Sequence, residues 1–282
     1  MVESILSPFD AFILGIVEGI TEYLPVSSTG HLVLASELLG LRDAGSRSAD
    51  QVAAIQAFEI VIQSGAILAV LFLYHKRVLE IIAGLLGRSE NGRRLAINIA
   101  TATAPALVFG FLLKGLISQY LQFSGPVLIA LAVGGVAMIL FERRQPAATS
   151  TLQLHELTPG QAIRIGLLQC LALWPGTSRS MVTILGGKWV GLSGPRAAEF
   201  SFLVGLPTLT LATAYKGLKD HHLLATYIGP TAMVIGLLTA TVSAGLAVKW
   251  LVAFLNRRGL ALFGWYRIAL AAIMLSLLGF HG

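Results

Sequence analysis

Glu18 and Glu22 stand four residues apart in the stretch EGITEYLPVSSTGH, residues 18–31. On a helix ending near Leu24 that spacing puts both carboxylates on one face. Two carboxylates so placed can hold a divalent cation through oxygen, or one can act as a base while the other positions it. Ser27, Ser28, Thr29 and Gly30 come just after Pro25 and precede the apolar run His31-Leu-Val-Leu-Ala, so they occupy the N-cap and first turn of a second helix. The free amides and positive dipole end of such a turn suit a phosphate. His31, within reach of the same anion, carries an imidazole able to exchange a proton with a leaving phosphate oxygen.

A second stretch, QCLALWPGTSRS at 169–180, repeats the arrangement. Gly176, Thr177 and Ser178 lead into a helix beginning near Arg179 and Ser180, and the guanidinium of Arg179 can fork onto two phosphate oxygens. Gln63, Gln169, Trp174 and Glu199 are polar or amphipathic groups in apolar helices; they either line the site or hydrogen-bond between helices. His155, His221 and His222 fall in predicted loops without ligand spacing, and no role is assigned to them. The chain contains no Walker loop, no HExxH and no GxSxG.

These groups sit in an oily chain. Of 282 residues, 55% are hydrophobic and only 12% charged, and the mean hydropathy is +0.78, which identifies an all-α integral membrane protein, a single membrane domain over 1–282. Six stretches are long and apolar enough to span: Ala54 to Tyr74, Leu95 to Leu113, Gly125 to Phe141, Ala198 to Tyr215, Thr226 to Phe254 and Leu262 to Phe280. Two more, Asp10 to Leu39 and Ala162 to Val190, are broken at Pro25 and Pro175 into halves too short to cross, and read as re-entrant hairpins. A charge inside a bilayer costs at least about 2.5–3.5 kcal/mol, so the acids and the arginine on these hairpins need a use that offsets it.

The net charge of +6 comes from basic residues between apolar segments, the pattern of cytoplasmic loops, and nucleic acid is excluded as a partner. Lys76, Arg77, Arg88, Arg93 and Arg94 place the loop His75 to Arg94 on the cytoplasmic side, and counting onward brings the hairpins in from opposite faces. The single cysteine, Cys170, allows no internal disulfide. The start MVESILSPFDAF has no basic n-region, so the amino terminus is expected to be retained. Gly15 pairs with Gly166, Glu18 with Gln169 and Ser27 with Ser178 at one offset, as do Glu59 with Glu199 and Gly65 with Gly205 at another. This predicts an inverted-topology repeat, 1–145 and 146–282, with the broken helices meeting near the midplane.

EGITEYLPVSSTGH together with QCLALWPGTSRS, and with FEIVIQSGAILAV at 58–70 and AAEFSFLVGLP at 197–207, resembles the undecaprenyl-diphosphate phosphatase family of the bacitracin-resistance type over nearly the whole chain. The resemblance implies a bacterial inner-membrane enzyme, opening to the periplasm, that hydrolyses a polyprenyl diphosphate lipid to the monophosphate and inorganic phosphate, recycling the peptidoglycan lipid carrier. It implies six spans with two re-entrant hairpins, a divalent cation (Mg2+ or Ca2+), catalytic roles for Glu18, Glu22, Ser28, His31 and Arg179, and a homodimer. Met181 departs from the small residue the family usually has there, which bears on packing behind Arg179. The expected chemistry has the cation on Glu18 and Glu22, attack by Ser28, and His31 as proton donor or acceptor; attack by an activated water is the alternative. A phosphatidic-acid-type phosphatase is disfavoured by Leu185, where that pattern has a histidine. A lipid transporter is the rival from another class.

Overall fold

The computed structural model describes residues 4–42, 46–121, 124–144 and 151–278, and among these every regular element is helical. In chain order the helices are α1 (Pro8–Tyr23), α2 (Ser28–Leu38), α3 (Ala49–Val61), α4 (Gln63–Leu73), α5 (His75–Leu85), α6 (Glu90–Tyr120), α7 (Ser124–Arg144), α8 (Pro159–Gln169), α9 (Arg179–Trp189), α10 (Gly194–Lys219), α11 (His221–Tyr227), α12 (Pro230–Leu255) and α13 (Ala261–Leu278).

Among the described residues, five helices are long and apolar enough to cross a membrane: Ala49–Leu73, in which α3 and α4 run on through Ile62, then Glu90–Ile117, Gly125–Arg144, Gly194–Lys219 and Pro230–Leu255. The sixth expected span forms α13, whose apolar part, Ala261–Ser276, is shorter; its expected end at Phe280 lies outside the described residues. So does the expected boundary between the repeats at 145 and 146. The stretch His75 to Arg94, expected as a loop, instead carries the short helix α5, and His221 and His222 open another, α11.

The surface chemistry is inverted relative to a water-soluble bundle. Along α12 the small residues Gly236, Ala240 and Ala244 face inward, while Val234, Leu238, Val242 and Leu246 are exposed. A contiguous apolar exterior over small-residue contacts is what lipid solvation favours. The small residues also set the closest approaches. α1 lies along α12, and a Cβ on Gly15 would come within 2.6 Å of the Gly236 carbonyl. α8 lies along α6 in the same way, and a Cβ on Gly166 would come within 2.6 Å of the Ala102 carbonyl. The two glycines matched in the sequence therefore do the same job on different partners.

Each of α1 and α8 is followed by a tight turn and a short helix. Pro25 biases Leu24 to extended backbone, so α1 stops at Tyr23. The chain then turns through Ser27, at φ 75°, whose Oγ accepts from the Gly30 amide at 3.4 Å and caps α2. α8 unwinds more gradually, through a 3-10 turn at Cys170–Leu173, an extended Trp174 before Pro175, and Gly176 at φ 93°. Ser178, at φ 73°, then caps α9 by accepting from the Met181 amide at 3.3 Å. Among the described residues, Ser27 and Ser178 are the non-glycine positions with positive φ.

Candidate active site

The two turns meet. Glu22, in the last turn of α1, accepts from the Ser28 hydroxyl through Oε2 at 2.6 Å and from Arg179 Nη2 through Oε1 at 3.0 Å. One carboxylate thus joins a hydroxyl six residues away across the proline turn to a guanidinium 157 residues away on the other hairpin. Ser180 Oγ donates to the Leu24 carbonyl at 2.8 Å, a second tie between the tips. Arg179 is fixed on its other sides: Nη1 donates to the Ser201 carbonyl at 2.9 Å, and the guanidinium lies 5.2 Å from the ring centroid of Tyr23. Tyr23 in turn meets Phe202 edge-on, with centroids 5.2 Å apart. Gly205 leaves the room, since a Cβ there would come within 2.5 Å of Arg179 Nη1.

A cavity of about 160 Å³ opens at this junction, lined by Glu22, Ser27, Ser28, Thr29, Gln63, Pro175, Gly176, Ser178 and Arg179 with Ala172 and Leu209. The capped starts of α2 and α9 both contribute walls, so unpaired first-turn amides of two helices accompany the arginine. Arg179 Nε is buried and has no hydrogen-bond partner among the described residues. The arrangement can bind an oxyanion and present a hydroxyl to it with a carboxylate already accepting the hydroxyl proton.

Not every expected residue faces that cavity. Trp174 and Thr177 line a separate apolar groove of about 560 Å³ between α7 and the second hairpin, with Ile129, Val133, Leu171 and Leu185 among its walls. Residues 174–178 therefore form a partition: Trp174 and Thr177 face the groove, while Pro175, Gly176 and Ser178 face the polar side. Gln169 turns to α6, where its Nε2 donates to the Ala102 carbonyl at 3.2 Å. Glu199 is taken by Arg77 Nε at 2.9 Å, as its sequence counterpart Glu59 is taken by Arg42. Met181 is buried and points toward α7, where its sulfur would lie 3.1 Å from a Cβ on Gly134.

His31 is one turn into α2 and both ring nitrogens are engaged. Nδ1 bonds the Ser27 carbonyl at 2.7 Å, and Nε2 bonds the Tyr266 hydroxyl at 2.7 Å. It does not bond Ser28. Tyr266 and its neighbour Arg267, whose Nη2 donates to the Gly176 carbonyl at 2.9 Å, were not singled out from the sequence. The available signal was an arginine in the middle of the apolar run ALFGWYRIALAAIMLSLL, where a charge demands an explanation.

Glu18 is fully buried against Glu22, and neither of its carboxylate oxygens has a hydrogen-bond partner among the described residues. Two adjacent carboxylates and the Ser28 hydroxyl make an all-oxygen donor set, which suits a hard divalent cation. No group of three or more His, Cys, Asp and Glu gathers among the described residues. Glu18 and Glu22 are the residues that could hold such a cation.

The family model described as bacitracin resistance protein BacA matches residues 11–273, a stretch containing both hairpin turns and all the site residues above. The chain belongs to the BacA family. Among similar proteins, an undecaprenyl-diphosphatase of Sorangium cellulosum (strain So ce56) is 44% identical over 272 residues, covering 95% of this chain and 86% of that protein. One of Pseudomonas fluorescens is 42% identical, covering 94% and 92%, and one of Acidovorax ebreus is 39% identical, covering 94% and 93%.

Proposed function

We propose that this BacA-family chain is a membrane phosphatase that hydrolyses undecaprenyl diphosphate to undecaprenyl phosphate and inorganic phosphate, renewing the lipid carrier of peptidoglycan precursors. The relatives carry that activity in their names. The observation that carries the reading to particular atoms is the Glu22 carboxylate shared between Ser28 Oγ and Arg179 Nη2.

In this reading the terminal phosphoryl group enters the cavity between the α2 and α9 starts. Arg179 and the first-turn amides hold its oxygens, and more tightly as charge shifts in the transition state. Ser28 Oγ attacks the terminal phosphorus, its proton passing to Glu22, and the bond from phosphorus to the bridging oxygen breaks as undecaprenyl phosphate leaves. Water then attacks the phosphoserine, releasing inorganic phosphate and restoring the hydroxyl. Glu18 and Glu22 would hold a magnesium or calcium ion, which supplies charge neutralisation for the diphosphate when bound. The apolar groove behind the 174–178 partition is where a prenyl chain can lie while its headgroup is on the polar side.

The finer architecture belongs to the same proposal. α1–α2 and α8–α9 are re-entrant hairpins that enter from opposite faces, and α13 completes six spans. The inverted repeat is supported by the exchange of equivalent partners, α1 with α12 and α8 with α6, and by the matched turns at Ser27 and Ser178. The basic residues near α5 support a cytoplasmic location for that end, and in this reading the site opens to the periplasmic side of the inner membrane. Purified protein in detergent is expected to release phosphate from a polyprenyl diphosphate and to lose that activity on chelation. No release in the presence of magnesium or calcium would remove the assignment.

A further inference from the structure

Arg267 leads the wholly buried side chains by size and lies in the apolar helix α13. Its hydrogen-bond partners are carbonyls, with no carboxylate among them. A cation withdrawn from water without a counter-charge is costly, so the contacts it makes define its use. Two of them tie α13 to α7: Nε donates to the Leu131 carbonyl at 3.3 Å and Nη2 to the Ala130 carbonyl at 3.0 Å. The third reaches the Gly176 carbonyl in the second hairpin's turn at 2.9 Å. Gly134 forms the seat, since a Cβ there would collide with the guanidinium. Gly176 is also held from α7, because a Cβ on it would come within 2.5 Å of the Val127 carbonyl.

The residue before it does the corresponding job on the first hairpin. The Tyr266 hydroxyl meets His31 Nε2 at 2.7 Å, and the two rings stack with centroids 5.6 Å apart and planes 5° from parallel. The Ser27 carbonyl at Nδ1 can only accept, so Nδ1 carries a proton, and Nε2 shares a hydrogen bond with the Tyr266 hydroxyl. Consecutive residues of one helix therefore grip one turn each.

We propose that Tyr266 and Arg267 are positioning residues that set the register between the two hairpin turns, and so the reach from Ser28 to an anion on Arg179. The proposal rests on the reading of this junction as the phosphatase site. Loosened register lowers kcat more than it raises KM, because a small misplacement of the nucleophile costs the transition state while headgroup binding persists.

The test uses the full chain in detergent or nanodiscs, with polyprenyl diphosphate turnover and amide hydrogen exchange measured on the same samples. Arg267→Met is expected to fold, to exchange faster over 175–181, and to lose about 100-fold in kcat with KM changed less than about 3-fold. Arg267→Lys keeps the charge but cannot fork onto three carbonyls, and is expected to recover part of the loss. Tyr266→Phe is expected to lower kcat about 10-fold with KM unchanged. If Arg267→Met does not fold, Gly134→Ala displaces the guanidinium while keeping it, and is expected to show the same exchange and kcat pattern. Wild-type kcat and exchange in the folded Arg267 or Gly134 variant, or equal losses in Met and Lys variants with kcat and KM falling together, would overturn the proposal. An inactive wild type whose Arg267→Met variant still exchanges faster over 175–181 would count against the functional reading and for the register.

Discussion

The first hairpin breaks over four residues, Leu24 to Ser27, and the second over nine, 170 to 178. Both end the break with a serine forced to positive φ and used as the cap of the return helix. What they carry differs. The first brings Glu18, Glu22, Ser28 and His31; the second brings Arg179 and a glycine-bearing loop. Neither could keep its charges in an apolar interior alone, since Glu22 and Arg179 are each other's partner. The division makes the site exist only where the tips touch, and a lone hairpin would expose an unpaired charge. In the proposed reading it also puts the attacking hydroxyl and its proton acceptor on one hairpin and the anion-binding guanidinium on the other.

That division can be broken from either side. The largest effect is expected from Ser28→Ala, which removes the attacking oxygen while leaving the Glu22–Arg179 pair; turnover of polyprenyl diphosphate should fall by about 1,000-fold or more. Activity near wild type would instead assign the attack to water. Arg179→Lys keeps a positive charge on the second hairpin but loses the fork onto Glu22 and the Ser201 carbonyl, and kcat should fall about 100-fold. Glu18→Gln tests the cation on the first hairpin: the divalent ion concentration giving half-maximal rate should rise at least about 10-fold, read by titrating magnesium or calcium into chelated protein. Ser180→Ala cuts the tie to the Leu24 carbonyl and should cost about 1 kcal/mol of stability with activity down only a few-fold, seen by thermal unfolding beside turnover. The smallest effect is expected at the shared turn. Ser178→Gly relieves about 1 kcal/mol of backbone strain and gives up a few tenths in capping, so a slight gain in thermal midpoint should result.

The parts of this molecule that announce themselves in the sequence are those where composition changes abruptly. Pro25 and Pro175 interrupt apolar runs, and the structure ends α1 and the 3-10 turn after α8 just before them. Five stretches of sustained hydropathy became long helices with ends extended by a few polar residues. α5 and α11 did not announce themselves, because polar, basic or histidine-led starts look like loops when charge is the guide. At the junction, residue type pointed to Glu22, Ser28 and Arg179, but their pairing follows from a left-handed serine that no periodicity encodes. The orientation of His31 depended on Tyr266, 235 positions away, and no local pattern links them. Arg267 was hidden by its surroundings: a window average over α13 stays apolar despite one guanidinium.

The partition at 174–178 has a consequence for anything made to block the enzyme. Five successive residues form a wall with oil on one side and charge on the other, and in the proposed reading the lipid's tail and headgroup lie on opposite sides of it. A compound that reached both compartments would have to cross beside Trp174 and Gly176, so the length of its linker would be set there.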